Sequence, residues 1–456
     1  MQTSDLCFLS VSEAASLIAQ RELSPVELTE AVLARAQELD GRINAYIALL
    51  ADEALTAARA AADAIAAGDY IGPWHGIPVA WKDIFATQGV RTTAGSQALA
   101  DWVPDEDSTL VAQLRRAGVV PLGSLNLAEF ACGVKTANEH YGQCYNPWDL
   151  ERVPGGSSGG SGAAVAAGMS MASVGTDTGG SVRIPASLCG VVGLKPTLGR
   201  ISRAGMVMLS WSLDCAGPIT RTVRDAALML NVLAGHDPRD PASSRVAVPD
   251  YAAAFSGVPS NYFFAEADVT VGDAVREAIR VLEGLGARAD LVELPGIEYA
   301  QSALWAIMLP EAAAAHYDSF QERGHLYGSE PRTRIEVGRM ALAIHYIRAQ
   351  QLQTRLREML KGVFRRYDVL ITPTTPVAAP EVEPSIAGGE PPLLPRLTAP
   401  FSLVGLPAVS VPCGFTREGL PIGMQVAGRP FAEAAILNVA HTYQETTPWQ
   451  RQRPPL

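Results

Sequence analysis

Apolar positions along the chain follow two rhythms. In "SPVELTEAVLARAQEL", Leu28, Val32, Leu33, Ala36 and Leu39 recur at three- and four-residue steps and mark one face of a helix. Ser24 stands where an N-cap belongs, with Pro25 in the first turn and Glu27 three residues after the cap. An alanine-rich helix is predicted from about Ala51 to Ala67, and Gly68 follows where a left-handed C-cap would sit. Residues 1–70 therefore read as packing helices. From Gly76 the rhythm shortens: "IPVAW", "VVPLG" and "VVGLK" are β-type runs, alternating with helical patterns such as "STLVAQLRRAG", opened by Ser108 and stopped by Gly118. Such alternation predicts an α/β architecture.

Residues 240–365 read as mostly helical, with "GDAVREAIRVLEGLGA" and "RTRIEVGRMALAIHYIRAQQLQTRLREMLKGVF" as their long periodic segments. After them "YDVLITPT", "PAVSVPCG" and "PIGMQVAG" resemble buried strands. Strand signals on both sides of a helical stretch predict one large domain, a central mixed β-sheet covered by helices. Its expected parts are the helices of 1–70, a core over 71–235, a helical cover over 240–365, and strands with a helix over 366–456 that complete the sheet. The Pro- and Glu-rich stretch 376–396 reads as a long surface loop. No internal repeat is visible.

Composition narrows the function classes. With 456 residues and 48% hydrophobic content the chain can bury a large core. It carries 36 basic and 47 acidic residues, net −11, and no Lys/Arg stripe, which argues against direct nucleic-acid binding. Cys7, Cys132, Cys144, Cys189, Cys215 and Cys413 are widely spaced without a CxxC or Cys/His ligand pattern, so free thiols in a reducing cytoplasm are expected, and no metal. The beginning of the chain lacks the basic and apolar regions of a secretory signal. The longest apolar run, "GAAVAAGMSMASVG", is too short and too rich in Gly and Ser to span a bilayer, so no membrane partner is expected.

The chemistry centres on "VPGGSSGGSGAAVAAG", residues 153–168, which holds six glycines and three serines. A linker should separate domains, whereas this run leads directly into small apolar residues. A phosphate loop needs Lys followed by Ser or Thr after its last glycine, and here "SGAAV" follows. Gly155-x-Ser157-x-Gly159 has the form of a nucleophile elbow, which would make a Ser/His/Asp α/β-hydrolase, but "NPWDLERVP" before it is no strand and His441 is an unremarkable late histidine. A second turn, "GTDTGGSVRIPAS", follows; its "DTG" occurs once, whereas an aspartic protease dyad needs two such loops. Gly179 and Gly180 leave successive amides unshielded ahead of a helix predicted near Ser181, as an oxyanion hole requires. Upstream, Lys82 lies among Val79, Ala80, Trp81, Ile84 and Phe85, and burial there would favour its neutral, basic form.

Together "GIPVAWKD", "VPGGSSGGSGAAVAAG" and "GTDTGGSVRIPASLCGVVGLKPT" resemble the amidase signature family of Ser/Ser/Lys hydrolases. The likeness extends to "STLVAQLRRAGVVPLGSLNLAEFACG", "DCAGPITRTVRDAALMLNVLAG" and "GLPAVSVPCGFTREGLPIGMQVAGRPFAE", and is weakest between about 245 and 375. It implies Ser181 as nucleophile, Ser157 as a bridging serine on a cis peptide after Gly156, and Lys82 as base. The amides of Thr178, Gly179, Gly180 and Ser181 would form the oxyanion hole, with Asp177, Arg183 and Ser158 in support. One departure is Ser402 in "APFSLVGLP", where the family often carries Asn.

Substrate choice is expected to rest with Phe130, Cys132 and Gly133 and with Trp305, Met308, Leu309, Tyr317 and Phe320. An apolar, aromatic lining favours a bulky hydrophobic acyl or aryl group. The expected activity is hydrolysis of aryl or hydrophobic carboxamides through an acyl-enzyme, with esters and carbamates as further substrates and no cofactor. The partner would be a small molecule, and a homodimer is compatible with such a chain. The alternative is the glutamine-hydrolysing A-type subunit of an aminoacyl-tRNA amidotransferase, which hands ammonia to a partner chain.

Overall fold

The computed structural model describes residues 3–253, 267–382 and 394–456. Eleven strands follow in order: β1 (Tyr46–Leu49), β2 (Pro78–Lys82), β3 (Val120–Leu125), β4 (Ala137–Asn138), β5 (Gly142–Gln143), β6 (Ala172–Thr176), β7 (Val192–Lys195), β8 (Ala216–Thr220), β9 (Val369–Pro373), β10 (Ala408–Phe415) and β11 (Pro421–Gly428). Nine of them form one mixed sheet in the order β1-β3-β2-β6-β8-β7-β10-β11-β9, and β4 and β5 pair apart from it. This is a single domain with a large mixed sheet flanked by helices. Every residue of β2, β6, β8, β9 and β11 is buried. Covered on both faces, these strands read in sequence as unbroken apolar runs without alternation.

β2 lies parallel to both β3 and β6, with Trp81 opposite Val174. Parallel neighbours end at the same edge of a sheet, so the last residues of β2 and β6, Lys82 and Thr176, emerge side by side. Beside them the sheet admits β1 only because position 123 is glycine: its φ is +138°, and a Cβ there would collide with the carbonyl of Ala48.

The helix signals are obeyed closely. Pro25–Ile43 starts at Ser24, whose hydroxyl accepts from Val26 N–H, and Ala51–Ala67 ends at Gly68 with φ +101°. Between β8 and β9 lie the cover helices, including Val269–Gly284, Ala300–Ala315, Tyr317–Arg323, Ser329–Arg339 and Ala343–Val363. The predicted long segment around residues 332–364 is in fact the last two of these, parted at Met340–Leu342. Gly338 sits directly against Leu309, where a Cβ would strike the Leu309 carbonyl, and this close crossing fixes where the first helix ends. Of the expected loop over 376–396, residues 383–393 lie outside the described residues. No described helix is long and apolar enough to cross a membrane.

Candidate active site

Lys82 is fully buried at the end of β2, and its Nζ donates to Ser157 Oγ and to Thr176 Oγ1, each at 2.7 Å. Burial pushes the amine down to about 7, although the carboxylates of Asp214 and Asp177 work to raise it. A lysine so placed holds a large neutral fraction at neutral pH, which an exposed ammonium does not.

Ser157 follows a cis peptide bond from Gly156, and the loop around it is pinned at both ends. Thr136 Oγ1 donates to the carbonyl of Gly155 at 2.8 Å and accepts from Gly159 N–H at 3.1 Å, while Ala128 N–H donates to the carbonyl of Ser157 at 3.1 Å. Ser158 Oγ is paired with the backbone of Thr176, accepting from its N–H and donating to its carbonyl at 3.3 Å each. No strand enters Ser157, so the nucleophile-elbow geometry is absent.

Ser158 N–H also donates to the carbonyl of Ser181 at 3.3 Å, which joins the two glycine turns. The hydroxyls of Ser157 and Ser181 do not hydrogen bond to each other; Ser181 Oγ has no partner among the described residues. Around Ser181 the carbonyls and amides are treated unequally. The Gly179 carbonyl accepts from Thr398 Oγ1 at 2.7 Å and the Gly180 carbonyl from Ile184 N–H at 2.7 Å. By contrast, the N–H groups of Thr178, Gly179, Gly180 and Ser181 reach no acceptor among the described residues. Buried amides are normally paired, so four consecutive unspent donors are a ready cradle for an oxyanion. Gly180 has φ +137°, and a Cβ there would collide with Thr398 Oγ1. The following helix, Arg183–Cys189, opens two residues later than its predicted start.

Asp177 and Arg183 are both fully buried and bind in a fork, Nε to Oδ2 at 2.9 Å and Nη2 to Oδ1 at 2.8 Å. Burial alone would raise the Asp177 carboxyl, but the Arg183 guanidinium and the Val182 amide hold it below its ordinary value. Thr398 and Gln425 accept from Arg183 Nη1 at 3.1 and 2.5 Å. Ser402 accepts from Arg183 Nη2 at 2.5 Å and donates to Asp177 Oδ1 at 3.0 Å, so the residue that departs from the family pattern closes this ion pair. Thr178 Oγ1 donates to buried Asp214 at 2.6 Å, and Asp214 also accepts the amides of Leu209 and Ser210. Sequence reasoning passed over Thr176, Thr136, Asp214 and Thr398. Thr176 and Asp214 stood inside quoted motifs; Thr136 and Thr398 did not, and nothing local marks what they hold.

The expected lining divides. Phe130 is buried between the rings of His316 and Tyr327, at 4.5 and 4.7 Å between centroids. Met308 is core, Leu309 is half-buried, and Phe320 packs on Tyr327 at 5.2 Å. Tyr317 is 54% exposed. Cys132 is buried, its thiol pushed up to about 11 by burial, and Arg334 Nη1 approaches its sulfur at 3.9 Å. The Arg334 guanidinium lies over the Trp305 ring at 4.7 Å and pairs with Glu330, whose carboxylate also stands beside Gly133. A guanidinium and a carboxylate thus sit within the lining expected to be apolar, brought there by a helix with no sequence signal for that role.

A buried amine of lowered basicity, two serines and a set of free amides together suit acyl transfer. The amidase family model matches residues 27–437, and the chain belongs to the amidase signature family of hydrolases. It is 44% identical to the A-type subunit of glutamyl-tRNA(Gln) amidotransferase from Moorella thermoacetica, with 99% of each chain covered. Among solved structures, the corresponding glutamyl-tRNA(Gln) amidotransferase chain of Thermotoga maritima matches with TM-score 0.82 and 36% identity, covering 97% of this chain and 96% of that one. Another, from work on a vestigial protein complex and the origins of an s-triazine catabolic enzyme, matches with TM-score 0.91 and 34% identity over 96% and 98% of the two chains.

These likenesses correct two expectations. An aryl or hydrophobic amidase with ester and carbamate side activities is overturned by full-length relatives, 41 to 44% identical, named as amidotransferase subunits. With it goes the expectation of a small-molecule substrate as sole partner and no nucleic acid, because those relatives are subunits of an enzyme named for a tRNA. Charge counting bears only on direct nucleic-acid binding and says nothing of the reaction that an assembly containing such a chain performs.

Proposed function

We propose that this chain is the glutamine-hydrolysing A-type subunit of an aminoacyl-tRNA amidotransferase, releasing ammonia from the glutamine side chain for a partner subunit to use. The observation that carries this reading is the 44% identity to the Moorella thermoacetica amidotransferase chain across 99% of both proteins. The Arg334–Glu330 pair beside Cys132 and Trp305 is consistent with it, since a polar substrate such as glutamine has use for charged groups that an apolar aryl amide does not.

Ser181 Oγ attacks the carboxamide carbon of glutamine. Its proton passes to Ser157 Oγ, whose own proton goes to the lone pair of neutral Lys82 across the 2.7 Å contact, while Thr176 retains one Lys82 N–H. The oxyanion is received by the amides of Thr178, Gly179, Gly180 and Ser181. Collapse breaks the C–N bond, and the proton returns along the relay to the departing nitrogen, giving ammonia and a γ-glutamyl ester on Ser181. Water then cleaves the ester to glutamate. Asp177, Arg183 and Ser158 hold the two turns in position.

The test is to assay glutamine hydrolysis and glutamyl-tRNA(Gln) amidation by the chain alone and co-expressed with the other amidotransferase subunits. Glutaminase activity that rises on assembly is expected. Rapid anilide hydrolysis by the isolated chain, with no glutaminase in any assembly, would overturn the reading.

A further inference from the structure

The junction between the helices Ser329–Arg339 and Ala343–Val363 presents several large apolar residues to solvent within eleven positions. Val337, Met340, Leu342, Ile344 and Ile347 are 44, 71, 59, 48 and 48% exposed. Val337 and Met340, with Ala341 and His345, line one side of a groove of about 310 Å³, and Trp305, Ala306, Leu309 and Pro310 of Ala300–Ala315 line the other. Large apolar side chains exposed together in this way are what interfaces cover.

Two routes tie the groove to the site. Trp305 lines the groove and also carries the Arg334 guanidinium that reaches Cys132. Tyr346, beside the exposed run, donates to Glu311 at 2.9 Å, and Glu311 accepts from Ser210 and from the amide and hydroxyl of Ser212. Ser210 N–H in turn donates to Asp214, the acceptor of Thr178 in the oxyanion turn.

We propose that this groove and the exposed residues beside it seat an amphipathic helix of a partner subunit, with an apolar face against Met340 in the groove and Leu342 and Ile344 next to it, and carboxylates on its flanks. The charge of the rim selects this occupant. Between residues 335 and 355 the charged side chains are Arg339, Arg348, Arg355 and Glu336, all exposed, in a chain of net charge −11. A second copy docking by two-fold symmetry would set this basic rim against itself, whereas an acidic-flanked helix complements it. The proposal rests on the subunit reading, and the helix it seats would complete the wall that Trp305 and Arg334 begin.

The test uses the full chain, wild type and Leu342→Asp/Ile344→Asp, co-expressed with the remaining subunits of the same organism's glutamyl-tRNA(Gln) amidotransferase. Light scattering follows assembly, and glutaminase activity is measured with and without those subunits. The variant should keep its melting temperature and isolated-chain activity, bind the subunits at least tenfold more weakly and lose their stimulation. Arg339→Glu/Arg348→Glu should weaken assembly severalfold. A variant that assembles and is stimulated like wild type overturns the groove while leaving the subunit reading intact. Loss of a homodimer, or of binding to phosphatidylglycerol vesicles, in place of loss of the hetero-complex assigns the groove to another occupant and also overturns it. A wild-type chain that joins no subunit and supports no tRNA amidation sinks the subunit reading itself.

Discussion

The turn at residues 176–183 and the helix junction at 334–347 solve opposite problems. In the first, an aspartate, an arginine and, nearby, a lysine are fully buried, and each charged group is met by named partners. In the second, leucine, isoleucine and methionine face water, with exposed Arg339 and Arg348 beside them. A buried polar network fixes geometry because any displacement strands a group away from water. An exposed apolar run leaves stabilisation unclaimed until another surface covers it. The polar turn is thus closed on itself within this chain, whereas the apolar junction is left uncovered.

The contrast breaks most visibly in activity. Ser181→Ala or Lys82→Ala should lower glutamine turnover by about 10³-fold or more in the assembled enzyme, as happens when one member of a catalytic unit is removed. Met340→Ala should leave isolated-chain turnover within about twofold, surface truncations having small effects. Equal losses from the two regions, read by steady-state kinetics, would erase the distinction. Stability should separate them next. Arg183→Ala strands Asp177 in a dry site and should cost about 3–5 kcal/mol in urea unfolding. Arg339→Ala should change stability by no more than about 0.5 kcal/mol.

The same division decides what could be read from the sequence. The segments that hold Lys82, Ser157 and Ser181 stood out because glycine-rich turns and a lysine in an apolar run are local signals, and the strands and helix caps around them are local as well; the roles of the three came from the family resemblance. Ser402 was noticed only as a departure; that it bridges Asp177 and Arg183 depends on contacts spanning more than two hundred residues. Arg334 was illegible for the same reason, since its neighbours Cys132 and Trp305 come from other elements and its helix shows only ordinary periodicity. The break at Met340–Leu342 escaped notice because an unbroken apolar rhythm gives no stop, and the crossing at Gly338 is tertiary.

A subtler probe is pH. Lys82 acts as a base only when neutral, and with its value lowered to about 7 by burial, turnover should rise with pH through that region, tenfold per unit well below it. The Asp214 carboxylate opposes this by favouring the ammonium, so Asp214→Asn should move the rising limb to lower pH. A limb that stays in place would show that the titrating group is not Lys82, and the electrostatic half of the comparison would lose its footing.

The smallest effect is expected where the two regions meet. Glu129, 4% exposed, takes the Ser96 hydroxyl at 2.5 Å and the amide of Gly328 at 2.9 Å, immediately before the helix that carries Arg334. Burial raises its carboxyl to about 7 from an ordinary 4.5. Because the folded value is the higher one, its favourable contribution is complete below about 4.5 and declines as pH climbs toward 7. Glu129→Gln keeps an acceptor for Gly328 N–H and removes the titration. Wild type should therefore lose stability relative to the variant between those pH values and run parallel to it above them, as measured by urea unfolding across pH. A change confined to KM would accompany it, since Glu129 anchors the Arg334 helix, adjoins Phe130 in the chain, and makes no hydrogen bond to Lys82, Ser157 or Ser181. A fall in kcat instead would mean that the uncovered junction and the closed turn move as one body.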